Sequence, residues 1–139
     1  MKAVIDTNVI AYLLLGTLPF ADEVRQFWHE VTETLAPATW EAELANVIWM
    51  AVRTGLMPTD KGIQRLRLAA RLGIQSVPNR ALWEGALHRA LDSRLAVYDT
   101  LFVELAIRKQ LPLVTFDSKV LSSFPEIARR PGALVANKP

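Results

Sequence analysis

Four acids in this chain stand where they could do chemistry together: Asp6, Glu43, Asp99 and Asp117. Asp6 ends the apolar run "AVI", and Asp117 ends the run "LPLVTF". If both runs are strands of one parallel sheet, both acids lie on the same rim. Asp99 opens a helical segment, at the edge where strands hand over to helices. Glu43 lies inside another helical segment, beside the apolar stripe Leu44, Ile48, Ala51 and Val52, on a flank shared with Asn46, Val47 and Met50. A carboxylate at the margin of a buried stripe can reach a crevice while its stem stays covered. The chain has no cysteine and only two histidines, His29 and His88, which fall in separate helical segments. Clustered carboxylates without soft ligands suit a hard cation, Mg2+ or Mn2+.

Each acid alone also has an ordinary reading. Asp6 and Asp99 can cap helices, Asp117 can start a turn before Ser118 and Lys119, and Glu43 can be a solvated helix residue. The combination is what separates the readings. Two carboxylates about 4 Å apart repel by about 4 kcal/mol at an effective dielectric of roughly 20. A cation-free cluster must therefore spread apart or keep a proton. A divalent cation removes that conflict. Glu41, Asp92 and Glu104 are less apt, since their positions suit a first helical turn, a helix end and an opposite helix face.

The elements that must position these acids follow from pattern and punctuation. Residues 2–6 read as a strand, and "DTNVIAYLLLG" as a helix capped by Asp6 or Thr7 and closed by Gly16. A second helix spans about 20–34, with Phe20, Val24, Phe27, Trp28 and Val31 at helical spacing. "TLAPAT" is a short strand or connector, and "TWEAELANVIWMAVRTG" a helix ending at Gly55. "TDKGIQRLRLAARLG" is a helix capped by Thr59 or Asp60, "IQSVP" a strand, and "NRALWEGALHRALDSR" a helix capped by Asn79. "YDTLFVELAIRKQ" is a helix capped by Asp99, "LPLVTFD" a strand, "SKVLSSF" a helical turn, and "GALVAN" a last strand. Strands alternating with helices predict an α/β fold with a mostly parallel sheet, helices on both faces, and a ligand crevice beyond the carboxyl ends of the strands.

At 139 residues and 51% hydrophobic content, the chain can bury a full core as one domain spanning 1–139. The absence of cysteine excludes disulfides, thiolate metal sites and cysteine nucleophiles. The opening segment is broken by Asp6 and Asn8, unlike a signal peptide or membrane span, so a cytoplasmic location is expected. A net charge of +2 permits an anionic partner without demanding one.

Three stretches carry a resemblance: "VIDTNVIAYLL", "EAELANVIWMAVRTG" and "VYDTLFVELAIRKQLPLVTFD". In order and spacing the chain resembles the PIN-domain family, and particularly the VapC-type toxin ribonucleases, from Met1 to about Leu121. The third stretch is the most specific, with Leu-Val-Thr-x-Asp placing Asp117 eighteen residues after Asp99. The resemblance implies a single PIN-like domain whose acidic constellation falls on Asp6, Glu43, Asp99 and Asp117, as catalytic residues and metal ligands. It also implies that Thr7, Asn8 and Thr115 orient carboxylates or water. The implied activity is Mg2+- or Mn2+-dependent endonucleolytic cleavage of RNA by a homodimer, inhibited by a small cognate antitoxin. The stretch "SKVLSSFPEI" after Asp117 lacks a further acid close by, so a second ion would be held loosely.

Arg53, Arg80, Arg89, Arg94 and Lys119 are candidates to hold an RNA backbone. Trp49 falls far from the apolar stripe of its helix, so its indole is expected to face outward. Packing against a neighbouring helix of the same chain is the ordinary reading, and a dimer or antitoxin contact shared with Trp28 the functional one. An aspartyl-nucleophile phosphatase would need Asp-x-Asp where this chain has Asp6-Thr7-Asn8, and a receiver domain distributes its acids differently. The serious alternative is a PIN-like fold serving as a non-catalytic RNA- or protein-binding module.

Overall fold

The computed structural model describes residues 1–135. Strands β1 (Lys2–Ile5), β2 (Glu33–Pro37), β3 (Gln75–Val77), β4 (Leu113–Val114) and β5 (Ala128–Arg129) form one sheet in the order β3-β2-β1-β4-β5. Every pairing is parallel, with Val4 opposite both Leu35 and Leu113. Ala3, Val4 and Ile5 are all fully buried. Successive strand residues point to opposite faces, so both faces of β1 are covered, and the strand reads as a continuous apolar run rather than an alternating one.

The helices are α1 (Thr7–Leu15), α2 (Ala21–Glu30), α3 (Thr39–Arg53), α4 (Thr59–Ala70), α5 (Trp83–Ser93), α6 (Val97–Lys109), α7 (Ser118–Ser123) and α8 (Pro131–Val135). Helix α1 packs on α2, α3 and α4, while α6, backed by α5, packs on β1, β2 and β4. Every residue of α6 from Thr100 to Ala106 is buried, so this helix shows no amphipathic stripe. One of those residues is Glu104, whose carboxylate receives Arg89 Nε at 2.5 Å and Arg108 Nε at 2.8 Å. Gly85 of α5 lies so close to that carboxylate that a Cβ there would overlap it. Helix α1 closes on Gly16 at φ 63°, whose N–H donates to the Tyr12 carbonyl, a left-handed cap that a side chain would strain.

Several predicted boundaries move. The segment predicted as a helix over 20–34 is helical only to Glu30, and β2 begins at Glu33. Asn79 sits in a 3-10 turn (Asn79–Ala81) and accepts from the Thr39 N–H instead of capping α5. Helix α4 follows Pro58 rather than a Thr59 or Asp60 cap. The last strand is Ala128–Arg129, and "GALVAN" begins in helix α8, its final two residues lying outside the described ones. Main-chain pairing explains that shift: Leu113 N–H donates to Ile127 and Thr115 N–H to Arg129, so β4 is already satisfied upstream of Gly132.

Candidate active site

Strand order reverses at β1, with β2 and β3 on one side and β4 and β5 on the other. Asp6 follows β1 and Thr115–Asp117 follows β4, so both flank the switch point at the carboxyl rim. The Asp6 N–H donates to the Val114 carbonyl at 2.9 Å, which extends the β1–β4 ladder up to the acid.

A chain of short hydrogen bonds links three of the four acids. Asp6 caps α1, its Oδ1 accepting from the Thr7 N–H at 2.7 Å. The Thr7 hydroxyl donates to Glu43 Oε1 at 3.0 Å, so one threonine holds two carboxylates. On the other side the Thr115 hydroxyl donates to Asp6 Oδ2 at 2.7 Å and accepts from the Asp117 N–H at 3.0 Å. Asp117 caps α7, its Oδ1 accepting from the N–H groups of Lys119 and Val120. Asn8 is a clamp on the β4 turn. Its amide donates to Thr115 Oγ1 at 3.4 Å and accepts from the Phe116 N–H at 3.3 Å.

Asp99 is not a cap. Ala96 precedes α6, and Asp99 lies in the first helical turn, where an acid is favoured by the dipole. It joins the cluster through its electric field. Burial pushes the Asp99 carboxyl up, the Asp117 charge pushes it further, and Lys119 opposes. Burial likewise raises Glu43, against the Thr7 hydrogen bond and with the Asp99 charge. Asp6 is affected most. Burial drives it up to about 7, opposed by the hydrogen bonds from Thr115 and Thr7 and assisted by the Glu43 and Asp99 charges.

Among the described residues, no three carboxylates or histidines converge closely enough to enclose an ion as they stand. The donor set itself fits a hard divalent cation. It is all carboxylate oxygen, and burial first, with the neighbouring carboxylate charges adding to it, raises the pKa of three of its members. A cavity of about 360 Å³ lies elsewhere, lined by Trp40, Leu44, Leu66, Ala69, Ile74 and Ser76, and it contains none of the four acids. Its one carboxylate, Glu41, accepts from the Ser76 hydroxyl at 2.9 Å. Mutually interacting, partly buried carboxylates, rather than hollow volume, mark the candidate site.

The basic candidates divide. Arg89 is committed to Glu104. Arg53 lies over the Trp49 ring at 5.3 Å and Arg80 over Trp83 at 5.5 Å, while Arg94 closes α5. Lys119 alone lies within the field of a site acid. Trp49 is 55% exposed, as its helix phase predicts, whereas Trp28 packs partly buried against the core and edge-on to Phe27. Sequence reasoning did not single out Arg130 or the ring of Phe116. Phe116 sits between two candidate positions, but Arg130 follows a two-residue strand too short to leave a pattern.

A PIN domain model matches residues 3–129. No curated protein sequence matches this one significantly. Among solved structures, the chain is similar to one from a toxin–antitoxin complex of Klebsiella pneumoniae, with TM-score 0.69 and 19% identity, covering 93% of this chain and 97% of that one. It is also similar to PAE2754 from Pyrobaculum aerophilum, with TM-score 0.77 and 16% identity, covering 98% and 93%. FitAcB from Neisseria gonorrhoeae gives TM-score 0.66 and 20% identity, covering 94% and 98%. At these identities the structures bear on fold alone. The sequence match is what identifies the family: the chain belongs to the PIN domain family.

Proposed function

We propose that this protein is a Mg2+- or Mn2+-dependent endoribonuclease, the toxin of a VapBC-type toxin–antitoxin pair. The observation that carries this reading is the hydrogen-bonded line Glu43–Thr7–Asp6–Thr115–Asp117 at the sheet's switch point, with Asp99 in its field. Asp6, Glu43, Asp99 and Asp117 would hold the cation. A divalent cation held there would supply a water of lowered pKa as the attacking group and would offset negative charge on the phosphate. Hydrolysis would break the P–O bond to the departing sugar oxygen, which would take up the equivalent of the proton that the attacking water loses. The chain's own part is to keep the carboxylates aimed. Thr7 and Thr115 fix one oxygen each on Glu43 and Asp6, and Asn8 holds the turn that carries Asp117.

Similarity to a chain of a toxin–antitoxin complex supports an antitoxin partner. Homodimerisation is supported by α5, which exposes Trp83, Leu87 and Leu91 at successive i, i+4 positions on one face. Among the described residues no helix is long and apolar enough to cross a membrane. The cytoplasm, where RNA and Mg2+ meet, is the proposed location.

The test is incubation of the purified protein with single-stranded RNA, with and without Mn2+, beside Asp99→Asn. Metal-dependent cleavage lost in the variant supports the reading. RNA binding without cleavage under any divalent cation favours the non-catalytic module instead.

A further inference from the structure

Beside the acids, the same rim carries a group of half-buried aromatic rings. Tyr12 of α1 stacks on Phe20 with centroids 4.7 Å apart, and Phe116 meets both, at 5.2 Å and 5.0 Å. Phe116 lies between Thr115 and Asp117, so this group begins one residue from the acid cluster. Arg130 covers it. Its guanidinium lies 5.0 Å from the Phe116 centroid and 6.0 Å from that of Phe20. The residue is placed by β5, since the Thr115 N–H donates to the Arg129 carbonyl and Arg130 follows directly beyond the strand's carboxyl end. One nitrogen, Nη2, is held by Glu23 at 3.1 Å, and the side chain remains 50% exposed.

We propose that Arg130, seated on the Phe116 and Phe20 rings, is the strand-holding residue of the site, binding the single-stranded RNA nucleotide that adjoins the scissile bond on the β4–β5 side. This rests on the nuclease reading above. A guanidinium has five N–H donors in a planar fork. With one nitrogen held by Glu23 and its inner face on aromatic rings, the outer face can stack a base while free N–H groups take a phosphate oxygen. The rings orient the cation so that little rotamer freedom is lost on binding. Its place matters as much as its charge. A strand whose phosphate lies over Asp6 and Asp117 must cross the β4–β5 end of the rim or the α3 end, and Arg130 marks the former. An acidic peptide would also satisfy a guanidinium. RNA is favoured because the platform is aromatic and one residue removed from the proposed ligand Asp117.

The experiment compares wild type, Arg130→Ala, Arg130→Lys and Glu23→Gln, each checked by thermal melt. Binding of a fluorescein-labelled, single-stranded 12-nucleotide RNA is followed by anisotropy in EDTA, and cleavage of the same RNA in Mn2+. Arg130→Ala is expected to weaken binding about tenfold, as for loss of one stacked base, and to lower the salt slope of log K by about 0.7. KM should rise with kcat within about twofold. Arg130→Lys should keep the slope while losing most of the affinity. Glu23→Gln breaks the same ion pair but frees the guanidinium, so its RNA affinity should equal or exceed that of wild type. This separates strand-holding from a purely structural role even if Arg130→Ala folds poorly. Unchanged RNA affinity and salt slope in Arg130→Ala overturns the proposal, as does loss of RNA binding in Glu23→Gln. Loss of binding to a labelled Glu-rich decapeptide with RNA binding intact overturns it in favour of an acidic protein partner. If wild type binds RNA through Arg130 but cuts none, the nuclease reading fails while the strand site stands.

Discussion

The hydroxyl of Thr115 donates to Asp6 Oδ2 at 2.7 Å, joining residues 109 apart in sequence at the one place where the sheet's strand order reverses. Thr115 is fully buried, and the same oxygen accepts from the Asp117 N–H. It therefore lowers the Asp6 carboxyl against burial and supports the turn that carries Asp117. Thr115→Val keeps the shape and removes both roles. A buried N–H and a carboxylate each lose a partner, at a cost of about 1–3 kcal/mol by urea unfolding. With its donor gone, Asp6 titrates at still higher pH, so the acid limb of metal-dependent cleavage should move upward. An unchanged pH profile would remove Thr115 from the orienting role.

Glu104 makes the opposite prediction. Burial opposes its charge, but the hydrogen bonds and charges of Arg89 and Arg108 together hold its carboxyl below the ordinary value of 4.5. The unfolded chain takes up this proton at a higher pH than the folded one. The stabilisation is therefore complete above about 4.5 and is lost as pH falls through the lower, folded value. Glu104→Gln should lower stability at neutral pH by roughly 1–3 kcal/mol, because both arginines are partly exposed and can be hydrated. The difference from wild type should narrow with acidification, in melts at pH 7 and pH 3. Cleavage per folded molecule should be unaltered.

The two tryptophans named together for a partner contact should part company. Trp49 is 55% exposed with Arg53 over its ring, so Trp49→Ala should change stability by no more than about 0.5 kcal/mol. Trp28 packs on the core and on Phe27, so Trp28→Ala should cost about 2–4 kcal/mol. Denaturant melts of the two variants decide it. A large loss at Trp49 would mean that its ring is covered in the folded protein, as in a tight dimer.

What the sequence made legible was periodic or punctuated. The β1 run ends on Asp6, α3 carries Glu43 beside Leu44 and Ile48, and Gly16 closes α1; each depends on residues close in the chain. The missed features depend on distant partners. Asp99 looks like a cap because an acid opens an apolar run, yet the backbone turns helical at Val97, three residues after the left-handed Arg94 ends α5. The α6 pattern hides a buried Glu104 because its compensating arginines come partly from α5. Strand β5 has two residues, held by the Leu113 and Thr115 N–H groups that donate to the Ile127 and Arg129 carbonyls, and no propensity marks so short a piece. Arg130 inherits that obscurity.

Charge removal at Asp6 sets a shared cation site against four independent side chains. The carboxyl of Asp6 is pushed from 3.8 up to about 7, burial being the largest cause and the Glu43 and Asp99 charges adding to it. Between those values the folded chain holds a proton that the unfolded chain has lost. Stability without metal therefore falls as pH rises from about 4 to about 7 and stays low above, by roughly 1.4 kcal/mol for each tenfold difference in proton affinity between the folded and unfolded chain. Asp6→Asn removes the titration. In EDTA its melting temperature should match or exceed wild type at pH 8, and the advantage should shrink toward pH 4. Asn can still accept from the Thr7 N–H, so the cap of α1 survives the change. Asp99→Asn should behave similarly with a smaller amplitude, since burial, the largest cause for both groups, is less complete at Asp99. With Mn2+ at a hundredfold excess over its dissociation constant, wild type should gain about 2.7 kcal/mol, and both variants much less. Cation binding competes with the Asp6 proton, so the gain should be larger at pH 8 than at pH 6. Wild-type melts that do not respond to millimolar Mn2+ at pH 8 would leave the four acids as separate caps and helix residues, with no common ligand.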